Sequence, residues 1–149
     1  MIQETLNGLI MESMKAHNDV RTESLRAIKS AFLNWKTAKE NVGKELNEGS
    51  EVQILKKLVK QRQESADMYK EAGRNELAEH ELAQMAVINE FLPAEVSEEQ
   101  IEFVVENITL SGAIEPIKKN MGAIIKAVKE TLPTADGKLV ATIVQRHLS

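Results

Sequence analysis

At 149 residues the chain has the length of one domain, or of two small helical ones sharing a boundary. With 42% apolar and 28% charged residues it can build a core and is too apolar to stay disordered. The absence of cysteine excludes disulfides, thiolate metal sites and cysteine nucleophiles together. A net charge of −4 argues against non-specific nucleic-acid binding by the chain as a whole, but leaves room for a local basic face.

Only five residues are aromatic, so the core is expected to consist mostly of Leu, Ile, Val, Ala and Met. The opening MIQETLNGLI carries Glu4 and no basic lead-in to an apolar run, so no signal peptide is expected. No apolar run approaches the roughly 18–20 residues of a membrane span, and the cytoplasm is the expected location.

Seven helices are predicted. Ile2, Leu6, Leu9, Ile10 and Met14 fall on one face of the first, which breaks near Asn18-Asp19. Leu25, Ile28, Phe32 and Trp35 step by three and four along the second, which runs out near Gly43. Leu46 to Ser50 read as a loop. The third helix runs from about Glu51 to Ala72 and buries Val52, Leu55, Val59, Ala66 and Tyr69, with Gly73 as its C′ residue. Ala78, Leu82, Met85, Ile88 and Leu92 define the fourth, closed by Pro93. Ser97-Glu98-Glu99-Gln100 is a capping box opening the fifth, which buries Ile101, Val104, Val105 and Ile108 and ends at Ser111-Gly112. Met121, Ile124, Ile125 and Val128 stripe the sixth. Asp136 is expected to cap the seventh, built on Leu139, Val140, Ile143 and Val144. With a boundary between Pro93 and Val96, the expected fold is all-α. Residues 1–93 form a bundle of about four helices, and residues 94–149 a three-helix bundle.

Catalytic signatures are sparse. His80 opens HELAQ, a near miss to the H-E-x-x-H zinc signature that has Gln84 where the second imidazole should stand. An ordinary surface histidine is favoured over a ligand by about ten to one, given how many ligands zinc needs. Asp67, Glu71, Glu76, Glu79 and Glu81 could supply an acid–base pair, but this spacing reads as a solvated, salt-bridged surface. No phosphate-binding glycine loop or dinucleotide fingerprint occurs. No catalytic residue, cofactor, metal or small-molecule substrate is therefore expected.

Two basic features remain. Lys56, Lys57, Lys60 and Arg62 crowd one stretch of the third helix, where Lys56, Lys60 and Gln63 share a face. From Gly112 to Ser149 there are six Lys or Arg (Lys118, Lys119, Lys126, Lys129, Lys138, Arg146) against three acids, a local excess of +3. Residues 93–111 carry five acids and no base. Such clusters are often plain solubilising charge; on one face they would also attract phosphate. Phe103, the tail's one aromatic residue, is expected in the core, so any RNA contact would read shape and backbone and would not depend on base stacking.

The run LKKLVKQRQESADMYKEAGRNELAEHELAQMAVINEFLP, followed by SEEQI, resembles the middle of the YqeY group of the GatB/YqeY family. LRAIKSAF at residues 25–32 is similar to an earlier signature of that group. NMGAIIKAV at 120–128 and ADGKLVATIV at 135–144 resemble the tail shared with GatB, a subunit of the tRNA-dependent amidotransferase. The resemblance covers nearly the whole chain and implies a two-part helical fold. It also implies a tail that contacts the body of tRNA, with candidates at Lys118, Lys119, Asn120, Gly122, Lys126, Asp136, Gly137 and Lys138. Close helix approach at Gly122 competes with contact there, and a capping role is favoured for Asp136.

The chain departs from the family pattern at three places. Ala123 stands where a basic residue is frequent, Pro133-Thr134 where a Gly precedes the ADGK segment, and Gln84 where an acid is frequent.

Three functions follow as expectations. The first is a non-catalytic module that binds tRNA or assists amidotransferase or aminoacyl-tRNA machinery. The second is an adaptor whose N-terminal helices dock a synthetase or amidotransferase subunit near Leu58. The third is a part in a carbon–nitrogen ligase using glutamine as amide donor, a family label whose catalytic and glutaminase parts have no counterpart in this sequence.

Overall fold

The computed structural model describes residues 2–149, which form seven α-helices and no strand. They divide into two compact units, one up to Leu92 and one from Pro93 to Ser149.

The first unit contains α1 (Ile2–Lys15), α2 (Asp19–Thr37), α3 (Glu48–Glu71) and α4 (Asn75–Asn89). The α1–α2 hairpin turns at His17, which adopts φ +53°, while the Asn18 N–H donates to the Ser13 carbonyl at 3.0 Å and closes α1. The Asn18 side chain then accepts the Arg21 N–H at 3.1 Å and opens α2. Leu6 and Ile10 from α1, Leu25, Ile28 and Phe32 from α2, Leu55 from α3, Ile88 from α4 and Leu46 from the loop form one core.

Met14 departs from expectation, being 50% exposed. Its neighbour Ser13 turns inward instead, its hydroxyl 2.7 Å from that of Thr22. Methionine is in fact missing from both buried cores among the described residues, which are built from Leu, Ile, Val, Ala and Phe32.

Two helix ends also differ from expectation. α2 stops at Thr37, six residues before Gly43, where Ala38 swings to extended backbone. A single 3-10 turn, Lys39–Asn41, follows, and the Asn41 amide donates to the Trp35 carbonyl at 2.9 Å. α3 begins at Glu48, inside the stretch read as loop, because the Asn47 side chain accepts the Ser50 N–H at 2.9 Å. This early start puts Glu51 on the inner face. The Glu51 carboxylate, 3% exposed, accepts the Gln3 N–H at 2.9 Å, and the Gln3 side chain donates to the Leu46 carbonyl at 2.7 Å. An acid from α3 thus satisfies a free amide in the first turn of α1.

α3 ends as expected at Gly73 (φ +74°), where the Arg74 N–H reaches the Tyr69 carbonyl at 2.8 Å.

The second unit contains α5 (Glu98–Leu110), α6 (Met121–Thr131) and α7 (Gly137–Arg146). Ser97 and Gln100 form the expected capping box, and Asp136 caps α7 by accepting the Leu139 N–H at 3.3 Å. Ile101 and Val105, Ile124 and Val128, and Val140, Ile143 and Val144 meet around Ala135 in a fully buried core. His147 and Glu102, 2.6 Å apart, join the end of α7 to α5, and the Ser149 N–H donates to the Pro116 carbonyl at 2.9 Å. Among the described residues no helix is long and apolar enough to cross a membrane.

Candidate functional site

The basic residues of the C-terminal unit are arranged by the stripe that builds its core. On α6, burial of Ile124 and Val128 directs Gly122 and Lys126, one turn apart, to the exposed side. Lys118, Lys119 and Asn120 form a single 3-10 turn leading into α6. Lys119 lies one helical step before Gly122, and both lysines are exposed. The Asn120 side-chain amide is engaged, donating to the Glu115 carbonyl at 3.1 Å and so holding the turn.

Half-buried Lys129 lies one turn beyond Lys126, and its ammonium comes within 3.5 Å of the point where a Cβ on Gly137 would stand. The end of α6 therefore brings a cation to the N-terminus of α7. Lys138, exposed, occupies the first turn of α7, and Thr142 and Gln145 continue its outward face, with Arg146 beside them in the last turn.

Electrostatically this corner is overloaded with positive charge. A helix N-terminus carries a partial positive charge, and here it has Lys129 and Lys138 beside it with Asp136 as its one capping anion. Neither lysine takes part in the three ion pairs found among the described residues. An incoming phosphate would find free N–H groups and two ammonium groups there.

Gly122 differs from one of its two expected roles. A Cβ added there meets no heavy atom within 4 Å, so it does not mediate close helix packing.

Phe103 also overturns an expectation. It is 65% exposed, because Ile101 and Val105 turn the opposite side of α5 to the core. An aromatic side chain is therefore available on this unit, although it lies on the acidic helix among Glu99, Glu102 and Glu106.

The α3 cluster belongs to the N-terminal unit and does not form one surface. Lys57 and Lys60 are exposed and Lys56 is half-buried. Arg62 instead lines a groove of about 470 Å³ with Gln61, Ser65, Met68, Glu81 and Gln84, and its Nε is buried without a hydrogen-bond partner. Leu58 and Val59 are half-buried and pack against the core of the N-terminal unit.

At HELAQ the Gln84 amide donates to Glu23 at 3.0 Å and lies 3.1 Å from His80 Nε2, with Glu23 and His80 also 3.1 Å apart. Gln84 thus joins a surface trio at the position where the zinc signature has its second histidine. Of the acidic stretch, Asp67, Glu71, Glu76 and Glu79 are exposed and Glu81 half-buried. None is ion-paired among the described residues, so the expected salt-bridged surface is a solvated one.

A family model described as Yqey-like protein matches residues 3–148, nearly the whole chain. No curated protein matches it.

Proposed function

Because the chain belongs to the Yqey-like protein family, we propose that it is a non-catalytic module that binds tRNA through its C-terminal unit and serves amidotransferase or aminoacyl-tRNA machinery. The observation that carries this reading is the segregation of charge within that unit. Residues 93–111 hold five acids and no base, whereas the segment containing α6 and α7 holds six cations against three acids. Three features of that segment suit a phosphate backbone: Lys119 exposed on the turn leading into α6 and Lys126 exposed on α6 itself, Lys129 placed at the α7 N-terminus, and the resemblance of NMGAIIKAV and ADGKLVATIV to an RNA-contacting tail. The acidic α5 would repel the same backbone and so orient the unit on it.

The test is binding of the full chain to bulk tRNA alongside the Lys119→Glu, Lys126→Glu variant. Both positions are exposed, so the variant keeps its fold. Micromolar binding that is clearly weakened in the variant supports the reading; equal binding by the two proteins, or none by either at low salt, overturns it.

A further inference from the structure

We propose that the chain self-associates, the outer face of α5 in one copy seating on the outer face of the α1–α2 hairpin in a second copy. The inference does not depend on RNA binding.

On α5, Phe103 and Leu110 are 65% and 84% exposed and stand two turns apart on one side of the helix. Glu99 and Glu106 occupy the same stripe at the same seven-residue spacing, and both are exposed. The face therefore alternates acid and large apolar residue, with no cation anywhere on the helix. Two large side chains left in water on a helix whose other side is fully committed to a core mark a surface that gains by being covered.

The same chain carries the chemical complement. On α2, burial of Leu25, Ile28 and Phe32 leaves Arg26, Lys29, Leu33 and Lys36 exposed along the outer side. Lys29 and Lys36 are also seven residues apart, with Leu33 (51% exposed) between them. Met14 of α1 adjoins this stripe, its sulfur 3.5 Å from Arg26 Nη2, and Met11 is exposed one turn earlier. Methionine gives a compliant apolar surface against which an aromatic ring can settle.

Both stripes repeat at seven residues, the spacing at which two helices can meet along a common seam, with flanking charges fixing partner and direction. Acid against base at that repeat selects α5 for α1–α2 and disfavours α5 against α5.

The test is sedimentation equilibrium of the full chain over a hundredfold concentration range, with two charge-reversed variants. One is Arg26→Glu with Lys29→Glu, the other Glu99→Lys with Glu106→Lys. All four positions are exposed, and circular dichroism checks that helix content is kept. The wild type should rise in mass with concentration, and each variant alone should stay monomeric. An equimolar mixture of the two should associate again, because each reversed face then meets its complement. Phe103→Ser with Leu110→Ser should abolish association without rescue. A wild type that stays monomeric at every concentration, or variants that associate as it does, would overturn the proposal.

Discussion

Gly122 and Gly73 have opposite backbone requirements, and substitution separates them. Gly122 is inside α6 with open space where a Cβ would go. Gly122→Ala should raise stability in urea by about 0.5–1 kcal/mol, the helix-propensity difference between the two residues. If binding to tRNA falls in the same variant, the glycine is there for a close backbone approach by RNA. Gly73 adopts φ +74° to close α3, so Gly73→Ala should cost about 1 kcal/mol in the same measurement. Asp136→Ala removes the cap of α7 and should cost about 1 kcal/mol. Gly73, Asp136 and the Ser97–Gln100 box were legible in sequence because each acts on backbone within a few residues of itself. Phe103 was not, since an aromatic residue in a chain with so few suggests a core position, and only the Ile101–Val105 stripe places it outside.

At the level of elements, all seven helices could be read from apolar spacing, and the errors fall at helix ends, which that spacing does not set. Asn47 opens α3 earlier than its apolar stripe begins, and the turn to extended backbone at Ala38 closes α2 before its helical pattern runs out. Glu51 could not be read at all, because its partner, the Gln3 N–H, is 48 residues away in sequence. Glu51→Ala leaves a first-turn amide of α1 without its acceptor and should cost about 1–3 kcal/mol in a denaturant melt. An unchanged midpoint would show that water replaces the carboxylate. In the C-terminal unit, Ile143→Ala opens a cavity where α7 meets α5 and α6, and should cost about 2–5 kcal/mol. Hydrogen exchange should then report the loss of protection in residues 93–149.

Across the whole molecule, a net charge of −4 conceals three separate charged regions: an acidic α5, a cationic segment containing α6 and α7, and a basic outer stripe on α2. The first two were visible by counting along the chain. What counting could not show is that Lys129 reaches the N-terminus of α7, or that Arg62 leaves the α3 lysines for a groove beside α4. Both depend on which side of a helix its neighbour covers. The central claim is that the cationic segment reads a phosphate backbone, and its most direct test is the salt dependence of tRNA affinity. For the wild type, log K should fall linearly with log salt, with a slope reflecting several phosphate contacts. In the Lys119→Glu, Lys126→Glu variant the slope should be shallower by about two, roughly one per lysine removed. Affinity insensitive to salt, or the same slope in both proteins, would contradict the account.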